Sequence, residues 1–327
     1  MNNSRIRFIF CFLIAVTMVF GLTGCNKKRS APRVPSVDLP ENIRSITIEQ
    51  LMPKSDKVTG KFKNEVPEAV KDEYMYGTLA GQYGKIDTAR KHLMNALKKE
   101  PKFVDAHHNL GLAYYKQGQI EKAISSWKTA LELAPTYAET YYNLAVFMLD
   151  LRREEDGIKL LETCVKYEPF HLKARYALGK IAQRKGKNKE AIRHFRSYQS
   201  KDRGDARVLA ALGELYLLEG QHEASLKEFE AASRIDEKNP KIHYQLGVAY
   251  HRRNLLDHAI LQYKRVVELS PDNVDAYINL GDVYYHQNEF ASALASYNAA
   301  LSIAPTNNYA AKKAKMAETK LLEANPK

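Results

Sequence analysis

Three cysteines and ten histidines are the side chains of this 327-residue sequence most able to do chemistry, and their spacing withholds most of it. Cys11, Cys25 and Cys164 form no C-x-x-C pair for zinc or redox exchange, and three thiols in so long a chain are no disulfide framework. The histidines contain no His-Glu-x-x-His pair. His251 and His286 can meet across neighbouring helices, but two imidazoles without a third ligand make a poor metal site. There is no G-x-x-x-x-G-K-(S/T) loop to cradle phosphate and no G-x-S-x-G nucleophile elbow. We therefore expect no catalysis, no metal and no cofactor. Binding chemistry is better supplied, because Lys and Arg recognise carboxylates and Tyr gives wide contact area at low entropic cost. The question is which elements bring such groups together.

The amino terminus accounts for two of the cysteines. Arg5 and Arg7 precede a run from Phe8 to Phe20 that is apolar except for Thr17. Such a run is short for a bilayer span and suits a secretory signal. It ends in Leu22-Thr23-Gly24-Cys25, which resembles the bacterial lipobox. The resemblance implies that the Cys25 sulfur accepts a lipid as a thioether, that residues 1–25 are removed, and that Cys11 is lost with them. Several acyl chains give a lasting anchor where one does not. Asn26 follows instead of Asp, which by resemblance to proteobacterial lipoproteins favours the outer membrane, facing the periplasm.

Residues 26–69 hold Pro32, Pro35, Pro40, Pro53 and Pro67, and the stretch before residue 43 is too polar to fold alone. We read 26–69 as a Pro-rich tether with a root-mean-square reach of roughly 35 Å, in which Ile46 to Leu51 forms a short helix or a docking segment. The formal charge of the whole chain is +12. The leader and the tether account for part of it and leave +7 on residues 70–327. That modest excess favours acidic partners or anionic surfaces and does not call for nucleic acid.

The body repeats itself. Tyr76-Gly77, Leu110-Gly111, Leu144-Ala145, Leu178-Gly179, Leu212-Gly213, Leu246-Gly247 and Leu280-Gly281 succeed one another every 34 residues without a gap. With Val70 as position 1, the units are 70–103, 104–137, 138–171, 172–205, 206–239, 240–273 and 274–307. Position 20 is small throughout, position 24 is bulky (Leu93, Trp127, Leu161, Phe195, Phe229, Tyr263, Tyr297), and position 32 is Pro in five units. This pattern resembles the tetratricopeptide repeat (TPR) family over residues 70–307. The resemblance implies an all-α, right-handed superhelical solenoid of seven helix-turn-helix units. The physics agrees: positions 4, 7, 8 and 11 share one face of a first helix, and 20, 24 and 27 one face of a second. Each unit alone leaves that surface wet, so stacking supplies the stability.

Departures from the repeat mark places to watch. Cys164 occupies position 27 and is expected to pack as a small apolar side chain. His107 and His243 occupy position 4, a packing position. Tyr198 takes the small position 27 of repeat 4, and Arg203-Gly204 replaces Pro, so a distortion is expected between repeats 4 and 5. Residues 308–327 read as a capping helix and tail, with Tyr309, Ala310, Ala314, Leu321 and Leu322 on its apolar side and lysines outside.

In the TPR family, first-helix positions 2, 5, 6, 9, 12 and 13 line the concave surface. Carried onto this sequence, those positions place Lys173, Lys180, Arg184, Arg207, Lys241 and Arg252 along repeats 4–6 against one acid, Glu214. Tyr142, Tyr176 and Tyr244 share the strip, and Asn109 and Asn143 stand at position 6, where Asn in some relatives hydrogen-bonds an extended peptide. The expectation is a groove for an extended or acidic segment of a cell-envelope protein. In layout the chain is similar to TPR lipoproteins of pilus secretin assembly, cell-wall hydrolase recruitment and outer-membrane assembly. The alternative is a Tyr-rich glycan groove in polysaccharide export.

Overall fold

The computed structural model describes residues 39–324, except 56 and 67. The leader and its lipobox Cys25 lie outside the described residues. Among the described residues the regular structure is helical. Two short helices, α1 (Glu41–Arg44) and α2 (Ile48–Leu51), precede the repeats. The first helices of the seven units are α3 (Glu68–Gln82), α5 (Val104–Lys116), α7 (Ala138–Asp150), α9 (Leu172–Arg184), α11 (Ala206–Leu218), α13 (Pro240–Arg252) and α15 (Val274–His286). The second helices are α4 (Ile86–Lys99), α6 (Ile120–Leu133), α8 (Glu154–Tyr167), α10 (Asn188–Gln199), α12 (His222–Ile235), α14 (Leu256–Leu269) and α16 (Phe290–Ile303), and α17 (Asn308–Ala324) closes the stack. Dense contact runs between helices adjacent in the chain, which makes the molecule a solenoid.

Each unit is locked by one contact. The position-24 side chain is at most 1% exposed in all seven units, and in the six units with glycine at position 8 it lies against that glycine of its own first helix. At Gly111 an added Cβ would come within 2.4 Å of the Trp127 indole, so glycine is required by close approach. The turn between the helices carries a left-handed residue at position 15 every time. Gly84, Gly118, Gly186 and Gly220 have φ of 71–74°, and Arg152, Asn254 and Asn288 have 60°, 56° and 62°. Cys164 is fully buried, where it packs as a small apolar side chain, and burial pushes its thiol up to about 12.

The expected distortion between repeats 4 and 5 is visible and local. The other second helices run 14 residues, whereas α10 runs 12 and leaves the helix at Ser200. The Tyr198 ring is nearly buried, and its hydroxyl donates to Asp205 (2.9 Å). A phenol in a slot sized for a methyl group is accommodated by ending the helix early.

The reading of 26–69 as a tether over its whole length needs correction. Residues 39–55 and 57–66 form a strap on the outer face made by the second helices. Leu39, Ile43 and Leu51 are buried in one cluster with Ile124, Trp127 and Leu160. Thr47 and Gln50 form a reciprocal capping box on α2, and the Arg153 guanidinium donates to the carbonyl of Ile46. Further along, Thr59 and Gly60 N–H donate to Leu133 O (2.7 and 2.9 Å), and Lys61 pairs with the 102–104 backbone. These bonds satisfy a carbonyl that α6 leaves open at its carboxyl end. Helix α17 buries Ala310, Ala314 and Ala317 against α16; Tyr309 and Leu322, expected on its apolar side, are exposed.

Candidate functional site

The first helices present a row of side chains at position 5: Tyr74, His108, Tyr142, Tyr176, Ala210, Tyr244 and Ile278. How each ring is held depends on the next repeat. Where position 6 of that repeat is Asn, the amide holds the ring. Asn109 Nδ2 lies 3.3 Å from Tyr74 Oη and Thr78 Oγ1, Asn143 Nδ2 3.3 Å from His108 Nε2, and Asn279 Nδ2 2.8 Å from Tyr244 Oη. Both N–H groups of Asn109 and one of Asn143 are therefore committed to the scaffold. With Asn143 donating to Nε2, the buried His108 carries its proton on Nδ1 and donates to Thr140 (2.9 Å). Burial holds His108 down to about 4.

Ala177 and Ala211 break that ladder, and cations take over. Lys173 Nζ stands 5.7 Å from the centre of the Tyr142 ring, and the Arg207 guanidinium 5.3 Å from that of Tyr176. Each comes from position 2 of the next repeat. Lys173 is also 3.9 Å from Glu139, whose carboxyl is held at about 2 by His171 and then Lys173.

The widest break falls at Ala210, where the ring row loses its ring. There the groove deepens into a hollow of about 200 Å³ floored by Ala210, Ala211 and Ile242 and ringed by Tyr176, Lys180, Arg207 and Lys241. Arg207 is pre-set: Nε and one terminal nitrogen grip the two oxygens of Asp205 (3.0 and 2.6 Å), while the side chain stays 72% exposed. Asp205 also caps α11 and accepts from Tyr198. Burial opposes its charge, but the bonds from Arg207 and Tyr198 hold the carboxyl below its ordinary value. Lys180 donates to Gln183 (2.8 Å), Gln183 to Glu214 (3.2 Å), and Lys241 lies 3.3 Å from the same carboxylate.

This geometry revises the basic strip in two ways. Acids missing from the sequence count return in space: Asp205 and Asp236 join Glu214 around the hollow, and Glu139 faces Lys173. Arg184 turns to the edge, where it pairs with Glu154 of the preceding unit. Arg252 is exposed and has no carboxylate partner among the described residues. Lys180, Arg207, Lys241 and Tyr176 are therefore the predicted residues brought together. Tyr244 belongs to the Asn-held part of the ladder. Sequence reading missed Ala210 and Asp205; the gap in the position-5 ring row signals the first, and an Asp just before a helix the second. His251 and His286 do meet, with ring centres 5.5 Å apart, and no third ligating group completes a metal set among the described residues.

The fold is matched by known proteins. Family profiles described as "TPR repeat" match residues 82–118, 111–150, 213–254 and 249–288, and those described as "Tetratricopeptide repeat" match 142–206 and 274–307. The crystal structure of YrrB, described as "a TPR protein with an unusual peptide-binding site", is 22% identical; the match covers 58% of this chain and 97% of that one at a TM-score of 0.54. The C-terminal part of a TPR repeat-containing protein from Cytophaga hutchinsonii is 14% identical over 73% of this chain and 98% of its own, at 0.56. At these identities the likeness concerns the fold alone. No curated protein matches the chain.

Proposed function

The chain belongs to the tetratricopeptide-repeat family, and from that premise we propose that it is an interaction scaffold of the bacterial cell envelope, anchored by lipid at Cys25 and without a reaction of its own. The groove of first helices receives an extended segment of a partner protein, and an acidic group of that segment sits over repeats 4–6. One observation carries this reading: the hollow at Ala210 gathers Lys180, Arg207 and Lys241 beside Tyr176, with Arg207 already clamped in place by Asp205. A donor ordered before binding loses less entropy on binding. The acids around the hollow leave it nearly balanced, so it favours one anionic group on a peptide over a polyanion.

The strap bears on how the anchor is used. It occupies the outer face and leaves the groove open. The chain between Cys25 and Leu39 reaches at most about 50 Å when fully extended, so the array is kept near the membrane surface, which we take to be the outer membrane facing the periplasm. Within that setting we favour assembly of a pilus or secretion machine. Glycan binding is less well supported, because Lys173 and Arg207 stand over the Tyr142 and Tyr176 rings on which a sugar would stack.

The test is affinity capture from envelope extract with residues 26–327, which retain every described residue, beside a Lys180→Glu, Arg207→Glu, Lys241→Glu variant. A partner held by the parent, released by moderate salt and lost by the variant supports the reading. Equal capture by both places the interface outside the groove. A Cys25→Ser chain that stays in the membrane fraction would sink the lipid anchor.

A further inference from the structure

The outer face of the second helices is covered by the strap at repeat 2 and open at repeats 4 and 5. On α6, positions 22, 25, 26 and 29 (Ser125, Lys128, Thr129 and Glu132) line a hollow shared with the strap residues Ile43, Ile46 and Gln50. On α10 and α12 the same positions supply Arg196, Lys227, Ala231 and Arg234, and these surround a second hollow of about 530 Å³ that no strap residue lines. Equivalent positions on equivalent helices place it on the outer face, away from the groove.

The early end of α10 shapes this hollow. The helix stops at Gln199, and Arg203 stands at position 32, where five repeats have Pro, so the rim gains a fourth cation. Against four cations the lining holds one carboxylate, Glu228, which is buried and accepts from Gln199 (2.8 Å). Arg196, Arg203, Lys227 and Arg234 are all exposed, and none of them forms an ion pair among the described residues. Arg196 is set in place: its Nε donates to Tyr216 Oη (2.7 Å), and its guanidinium lies 5.5 Å from the centre of that ring. The hollow at Ala210 in the groove sets acids beside its cations. Here the positive charges stand uncompensated, repel one another and attract an anion.

Two observations say which anion. Leu209 and Ala231 are the only apolar side chains in the lining, and Leu209 is itself buried, so the hollow lacks the apolar centre of a protein interface. It also lies near the attachment of the strap. The Arg153 guanidinium, at the start of α8, binds the strap at the carbonyl of Ile46. From α8 to α12 is two repeats, roughly 20 Å at the usual spacing of packed helices, which is less than the reach of the chain that precedes Leu39. We propose that this hollow seats the phosphate headgroup of an anionic phospholipid, so that the outer face of repeats 4 and 5 lies on the membrane and the groove opens away from it. The headgroup site stands on the residues named here; the orientation of the groove rests also on the anchor at Cys25.

The test is co-sedimentation of residues 26–327 with vesicles of phosphatidylcholine, with and without phosphatidylglycerol. This chain lacks Cys25, so its result is independent of the lipid anchor, and it is read separately from the capture experiment, which relies on residues 180, 207 and 241. Binding is expected to the vesicles with phosphatidylglycerol alone and should weaken with moderate salt. Arg203→Gln and Arg234→Gln should each weaken it about five-fold, and the pair about 25-fold. Both side chains are exposed and unpaired, so the double variant should melt no lower than the parent. Lys91 and Lys98 are the comparison: they hold positions 22 and 29 of repeat 1, exposed and without ion pairs among the described residues. Lys91→Gln with Lys98→Gln should bind like the parent. An equal loss in that pair would mean spread charge and no site. Equal binding to both kinds of vesicle, unchanged binding in the Arg203 and Arg234 double variant, or glycerol phosphate in solution binding as tightly as the vesicles overturns the proposal.

Discussion

Repeats 2 and 3 and repeats 5 to 7 are built from the same helix pair, yet the first group has three layers and the second has two. Over α6 and α8 the strap adds Leu39, Ile43 and Leu51 to a buried cluster that runs without a break from Ile120 to Leu178. Among the described residues, nothing comparable covers the outer faces of the second helices past repeat 4. Leu261 there is 62% exposed, and the buried residues fall into smaller separate clusters. In a one-dimensional array each unit feels only its neighbours, so an added layer stabilises the units it touches and no others. The shortened α10 sits at the boundary. The solenoid should therefore open from its carboxyl-terminal half, with repeats 2–3 last.

The severest challenge is Trp127→Ala. The indole fills the space between α5 and α6, touches Gly111 and donates to His108 O (3.3 Å). Truncating a buried Trp costs about 3–5 kcal/mol. Circular dichroism during denaturation should show the order of opening reversed, with repeats 2–3 melting at or before repeats 5–7. If the two halves still melt in the parent's order, the strapped half is not held by this core.

Leu51→Asp tests the strap alone. Leu51 is fully buried, and a carboxylate there cannot stay in the cluster, so the strap should detach. The expected loss is about 2–4 kcal/mol, confined to units under the strap. Amide exchange in α6 and α8 should accelerate while that in α14 and α16 stays as before. Acceleration along the whole array would mean that the two halves open as one.

Acid separates the halves by a different lever. His108 lies in the strapped half and His194 within the short α10; both are buried and held down to about 4. For His108 the cause is burial; for His194 it is burial first, then Arg175 and Arg193. Between pH 6.5 and 4 the unfolded chain binds protons that the folded chain refuses, so stability is full above 6.5 and falls as pH drops to 4. Each site contributes up to roughly 3 kcal/mol. Denaturation midpoints measured from pH 7.5 to 4 should fall, and His194→Gln should remove much of the fall around α10 and α11. Midpoints that do not change with pH would show that neither ring is buried neutral.

Legibility followed the repeat. Seven copies of one pattern fixed the helix pairs, because Gly111 against Trp127 and its equivalents recur at one spacing. The charge partners were not legible from groove positions, because Asp205 stands before its helix and Glu154 belongs to another face. The strap was hidden further still. Leu39, Ile43 and Leu51 are scattered among prolines and bury against helices that begin at residue 120, a surface that exists only after the repeats have stacked.

The smallest effect sharpens the comparison most. Arg152 holds the left-handed place at position 15 that four other repeats give to glycine and two to asparagine. A side chain with a Cβ in that conformation costs about 1 kcal/mol, less for Asn. Arg152→Gly should therefore stabilise repeat 3, by about 0.5–1 kcal/mol after glycine's greater freedom in the unfolded chain is counted. Because repeat 3 lies under the strap, that gain belongs to the half that opens last. The later denaturation transition should rise while the earlier one, from repeats 5–7, stays where it was. A shift of the earlier transition instead would mean that stability travels across α10 and α11, and that the two halves are not separate units.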